Sequence, residues 1–294
     1  MPKLHVRLSP AIKQLEIVTK DIVSTKLIGH YQSVFKGKGL EFESYRAYNP
    51  DDDAALIDWK ASKRANQLLV KEFVEERNLD VFFLIDTGAS MVFGSTEKLK
   101  NEYVAELVAS LAYVTIEAGD AVGFALFNKG IVARSPPIMG KHQFYHMTGK
   151  ILDTSYYGGI TNIEEALKFI IAYLKEDTVV IMVTDFIGLE DNWETTMKIA
   201  AKKFDFITIM VRDPRDYSMP YLNRQILVQD PYSPKQLLIN PVQLKGKYED
   251  YVQKEEAQIE DKLMHAGSAF IKLTTNKPFA PSIIAFFRRR QLRH

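Results

Sequence analysis

The run Leu79-Asp-Val-Phe-Phe-Leu-Ile85 is apolar on both faces that a strand presents, and so is Val179-Val-Ile-Met-Val183 much later in the chain. A strand with one face in water alternates apolar and polar residues, whereas one covered on both sides does not. Such runs fit a sheet sandwiched between helical layers, and helical patterns do stand between them. Leu99, Tyr103, Leu107 and Leu111 recur every four residues ahead of Gly119, which can end a helix. Ile163, Leu167, Ile170, Ile171 and Leu174 form a second stripe, while Gln143–Leu152 and Trp193–Lys203 also read as helices. Ala121–Phe127, Phe206–Val211 and Phe270–Leu273 supply further strands. This alternation predicts an α/β fold, a doubly wound and mostly parallel sheet with helices on both faces.

The pattern changes on either side of that alternation. Gln225–Val228 and Gln236–Ile239 flank Asp230-Pro-Tyr-Ser-Pro234, a hairpin inserted near 224–240. A charged helix from Lys247 to His265 follows, and Ser282–Arg290 reads as a closing helix whose basic end suits the dipole. The main domain is expected to span 79–294. Residues 1–78 carry a helix over Pro10–Lys20 and strands over Glu41–Tyr48 and Gln67–Phe73, with a turn at Asn49–Asp53 between them. They predict a small β-rich N-terminal element, with Trp59 buried as an anchor against the sheet domain and Asp58 on backbone amides or a nearby arginine.

The 294 residues contain no cysteine, which removes disulfides, thiolate metal sites and cysteine nucleophiles. A net charge of +1 argues against broad nucleic-acid binding through field alone. No apolar run reaches the roughly 18 residues that span a bilayer, and Met1–Arg7 lacks a signal-like stretch. The expected setting is soluble and cytoplasmic.

Both apolar runs deliver an acid at the carboxyl end, Asp86 and Asp185. Asp86 opens the loop Asp86-Thr-Gly-Ala-Ser90, and Gly158-Gly-Ile-Thr161 presents a further hydroxyl. Open parallel sheets bind ligands beyond the carboxyl ends of their strands, where the strand order reverses. Oxygen donors gathered there suit a hard cation, magnesium with manganese as the alternative, and the expected ligands are Asp86, Ser90, Thr161 and Asp185. Thr161-Asn-Ile-Glu164 also fits a capping box, in which the threonine would cap a helix. His142 and His146 have the spacing of a zinc pair but no third ligand, and read as surface or packing residues. Gly37-Lys-Gly39 is too short for a phosphate loop, and Asp51-Asp-Asp53 for a calcium loop.

Asp86–Ser90, Thr161 and Asp185 resemble the metal-ion-dependent adhesion site (MIDAS) of von Willebrand factor A domains. Upstream, Tyr31–Gly39, Glu41-Phe42, Arg46, Tyr48, Asp52-Asp53, Ile57-Asp-Trp59 and Lys71-Glu-Phe73 resemble the signature of the DUF58 family. The chain departs from these patterns at Gly88, where the first loop serine is missing. It departs again at Ala54-Ala55-Leu56, in place of basic residues, and at the extra Ile160. The resemblance implies a protein-interaction adaptor rather than an enzyme. Its partner would be a MoxR-type AAA+ ATPase or that ATPase's client, bound through an acidic residue on the ion. A metal-free scaffold and a magnesium-dependent hydrolase or phosphoryl-transfer enzyme are the alternatives.

Overall fold

The computed structural model describes residues 8–23, 25–35, 41–49, 52–74, 78–189, 192–229 and 235–291. Gly37-Lys-Gly39, Asp51, Asp230–Pro234, Arg293 and the first seven residues lie outside them. The chain begins with α1 (Leu8–Ile22), α2 (Thr25–Phe35), β1 (Glu41–Ala47), α3 (Trp59–Ala65) and β2 (Leu69–Val74). The main alternation opens with β3 (Asp80–Asp86), α4 (Lys100–Glu117), β4 (Ala121–Phe127), β5 (Ile131–Ile138), α5 (Lys141–Ile151) and α6 (Ile163–Tyr173). It continues through β6 (Val179–Thr184), α7 (Glu194–Lys203), β7 (Asp205–Arg212) and the single turn α8 (Pro214–Tyr217). Then come β8 (Ile226–Gln229), β9 (Gln236–Ile239), α9 (Pro241–Ala266), β10 (Ala269–Thr274) and α10 (Phe279–Gln291).

Six strands form the central sheet in the order β10-β7-β6-β3-β4-β5, all parallel except the antiparallel margin β5. The doubly wound, mostly parallel architecture is thus the one the apolar runs predict. Alternate residues of β3 feed two cores. Val81, Phe83 and Ile85 pack among residues of α4, α5 and α10, and Phe82 and Leu84 among those of α6, α7 and α9. Successive connections go to opposite sides of β3, so the strand order reverses between β3 and β6.

The sequence reading leaves Ile131–Ile138 unassigned, and that segment carries Pro136 and Pro137. Proline is tolerated in a sheet at the edge, and that is where β5 lies. The charged helix α9 starts at Pro241, ahead of the expected Lys247, because Asn240 accepts from the amides of Val242 and Gln243 and proline suits the first helical position.

The segment before β3 divides. Leu15, Leu27 and Tyr31 of the first two helices are buried in the same core as α4 and α10. The Tyr31 hydroxyl donates to Asp120 Oδ2 at 2.8 Å, while the Leu79 amide donates to Oδ1 at 3.0 Å. β1 and β2 make a two-stranded antiparallel sheet, with α3 capped by Asp58, which accepts from the amides of Lys60 and Ala61. Asp58 therefore does bind backbone amides, but Trp59 is no buried anchor. As the first residue of a short helix it points outward and is 68% exposed. Arg46 grips Asp52 through both guanidinium nitrogens.

Removing the hydroxyl in Tyr31→Phe should lower stability by about 1–3 kcal/mol, because a buried carboxylate loses a donor; urea denaturation with an unchanged m-value checks it. Bonds from Arg46 and from the Asn49 amide hold the Asp52 carboxyl down to about 2. The folded value lies below the ordinary 3.8, so the stabilisation is complete above 3.8 and is lost as the pH falls toward 2. In Arg46→Ala the Asp52 carboxyl midpoint, followed by NMR, should move up toward about 3.9.

Candidate functional site

Asp86 and Asp185 leave adjacent parallel strands at the reversal point, one residue beyond Ile85 and two beyond its partner Val183. Both side chains are buried. A buried carboxylate needs donors, and Asp86 collects three. The Gly88 amide (2.7 Å) and the Thr161 hydroxyl (2.9 Å) reach Oδ1, and the Thr184 hydroxyl (2.6 Å) reaches Oδ2. Thr184 Oγ1 in turn accepts from the Phe186 amide. Burial and the nearby Asp185 charge nevertheless push the Asp86 carboxyl well above the usual carboxylate range, against the pull of its three donors.

Thr161 is not the helix cap that the capping-box reading assigns. Asn162 caps α6 by accepting from the Glu165 amide at 3.0 Å, which leaves the Thr161 hydroxyl to Asp86. The Thr161 turn is stitched to the first loop by backbone bonds from Ala89 N to Gly159 O and from Gly158 N to Thr87 O. Gly158 and Gly159, at φ 136° and 76°, occupy backbone regions that side-chain-bearing residues rarely adopt, which is what the glycine pair is for.

Sequence reasoning missed three residues. Besides Thr184, these are Lys100 and Asp216. Lys100 is 1% exposed, and its ammonium contacts Asp185 Oδ2 at 2.7 Å and Asp216 Oδ2 at 2.9 Å. Asp185 Oδ1 accepts from the Ile187 amide at 2.9 Å. Asp216 Oδ2 also accepts from the Asp213 amide, which closes the capping box of α8. Asp213 in turn accepts from the Ser95 amide and hydroxyl. Loops that are far apart in sequence thus meet on one ammonium. The sequence holds only a weak trace of this: Lys100 is the first residue of α4, where the helix dipole disfavours a cation.

The four expected ligands therefore lie at one edge of the sheet, with Asp86 and Thr161 in direct contact. Their fit to magnesium fails on three points. Asp86 Oδ1 already holds two donors, as many as its lone pairs take. Asp185 has its charge already paired with the Lys100 ammonium through Oδ2, and Oδ1 accepts from the Ile187 amide. The hydroxyl missing at position 88 cannot simply be restored, because a Cβ on Gly88 would sit 2.0 Å from Thr161 Oγ1 and 3.1 Å from Asp86 Oδ1. Ser90 points the other way, since its hydroxyl is buried without a partner, but one hydroxyl does not make a magnesium shell. His142 and His146 are exposed on α5, with His146 packed edge-on against Phe124, and join no such cluster.

Gly88→Ser is expected to cost about 1–3 kcal/mol through overpacking against Thr161. Thr161→Ala in the same chain should recover part of that loss. A double-mutant cycle by chemical denaturation reads the coupling, and strict additivity would refute the close approach.

An uncharacterized protein of Mycobacterium tuberculosis, Rv1480, is 22% identical to this chain over 289 residues, covering 97% of this chain and 90% of that protein. An aerotolerance-related membrane protein from Bacteroides fragilis shares the fold with a TM-score of 0.50 and 13% identity, covering 74% of this chain and all of that one. The SpRpn10 VWA domain aligns with a TM-score of 0.38 and 6% identity over 71% of this chain and 94% of its own. The cytoplasmic setting expected from the sequence does not stand against this comparison, because the fold neighbour from B. fragilis is described as a membrane protein. The physical reason is that membrane attachment does not require a spanning helix. Among the described residues no helix is long and apolar enough to cross a membrane, and that fact assigns no compartment. The family of proteins of unknown function DUF58 matches residues 44–258, most of the chain. The chain belongs to the DUF58 family and carries its signature on a von Willebrand factor A-like fold.

Proposed function

We propose that this chain is a protein-docking adaptor whose binding face is the loop edge beyond β3 and β6. The observation that carries this reading is that the two loops bonded together at that edge expose large apolar side chains. Val92 and Phe93, in the loop after β3, are 48% and 43% exposed, and Ile160, in the turn bonded to that loop, is 49% exposed. Phe93 stands over the buried site, 5.7 Å from the Lys100 ammonium. Exposed aromatic and aliphatic side chains on a preformed edge are the anchors that protein interfaces use.

Binding is favoured over catalysis by how the polar groups are employed. Ser90 and Lys100 could in principle form a nucleophile and base. Lys100 instead bonds two carboxylates, and the Ser90 hydroxyl has no partner. The partner class that the family resemblance implies, a MoxR-type AAA+ ATPase or its client, is the one to try. The membrane description of the B. fragilis fold neighbour supports doing so with membranes present.

The test mixes the purified chain with the MoxR-type ATPase of the same organism and measures the dissociation constant by sedimentation or fluorescence. Phe93→Glu and Ile160→Glu should each weaken association at least tenfold, about 1.4 kcal/mol. Folding stability should move by no more than about 0.5 kcal/mol, as for other exposed positions. Unchanged affinity in both variants would sink this docking face.

A further inference from the structure

We infer that the Lys100 ammonium is the resident cation of this site, and that it holds the loop edge in its binding shape without a divalent metal. The inference concerns the same edge as the docking reading, and rests on that reading only for where the partner binds. A lysine buried to 1% exposure is costly to desolvate, and its place as the first residue of α4 sets it against the helix dipole. Its two carboxylate contacts, at 2.7 and 2.9 Å, are what offset both costs.

The contacts also have a structural consequence. Lys100 stands at the end of the loop that follows β3, Asp185 follows β6, and Asp216 lies in α8 beyond β7. One ammonium therefore ties together the loops of three adjacent strands. A divalent ion held by Asp86 and Asp185 would likewise bring the acid of one loop to that of another, and Lys100 does this from within the chain. Gly88 belongs to the same arrangement. In place of the serine that an adhesion site carries, it lets Thr161 close directly onto Asp86, so the internal network is complete on that side without an ion.

The proposal predicts an inversion of metal response. The chelator-stripped parent, titrated with magnesium or manganese by calorimetry and thermal shift, should show no saturable binding and no rise in Tm. Lys100→Met keeps the length of the side chain and removes its charge. It should lower Tm and create a divalent response, because Asp185 and Asp216 lose their counter-charge. If Lys100→Met fails to fold alone, the triple variant Lys100→Met, Asp185→Asn, Asp216→Asn should fold and show no metal response. Stoichiometric binding by the parent, abolished in Asp86→Asn, overturns the proposal. So does association with the ATPase that is lost on chelation and restored by magnesium. Failure of the docking reading would show separately, as no association with or without chelator, while the calorimetry on the parent still decides the role of Lys100.

Discussion

A carboxylate at the end of a strand buried on both faces has to be satisfied by the protein itself, and the loop edge is built around that constraint. Asp86 ends β3 inside the molecule, where water cannot solvate it. An unpaired charge in that position would cost several kcal/mol. Thr184 on the next strand, Thr161 on the glycine turn and the Gly88 amide all converge on it. Asp185, one strand away, compounds the charge problem, and Lys100 offsets it with an ammonium that it also shares with Asp216. The conformations of the loops follow from these obligations. Gly158 and Gly159 turn the chain to present Thr161, and the buried Phe186 takes a left-handed backbone at φ 55° directly after Asp185. Non-glycine residues held in that region cost of order 1–3 kcal/mol and persist where the surroundings over-determine them.

The strands that a two-faced burial pattern can reveal were legible in the sequence. Phe82, Phe83, Leu84 and their counterparts in β6 have no polar alternative face, so their placement between helical layers follows from composition alone. β5 was hidden because its two prolines suppress the signal that a margin does not need. At the site, acids at strand ends and a hydroxyl after a glycine turn were visible, because local chain direction carries that information. The ion pairs were not. Lys100 meets Asp185 across 85 residues and Asp216 across 116, and no local pattern encodes such a meeting. A cation misplaced at a helix start was the one trace left in the sequence. Thr161 shows the converse case. The capping box matched its spacing, yet the tertiary demand of Asp86 took its hydroxyl and left capping to Asn162.

The N-terminal segment shows how a family signature can mislead about burial. Ile57-Asp58-Trp59 looks like an anchor by composition, because tryptophan has so much apolar surface to hide. Asp58 has a local task instead, closing the first turn of α3, and that fixes Trp59 at a helix start facing outward. The resemblance was sound for the family, which the match over residues 44–258 bears out, and for the mostly parallel six-stranded sheet. It could not say which way a side chain would point.

The two margins of the central sheet have a consequence for the mode of recognition. β5 carries Pro136 and Pro137, which cannot donate to a neighbouring strand, and at the other margin Lys272 of β10 is held by Glu256 and Glu260 of α9. Charges and prolines of this kind discourage an incoming segment from adding itself to a sheet as another strand. On the docking reading proposed above, a partner is thereby steered away from backbone zippering along the sides and toward the side chains at the strand tips. Recognition there depends on what those side chains are, so variants of the chain can exchange partners by altering a few loop residues while the sheet beneath stays as it is.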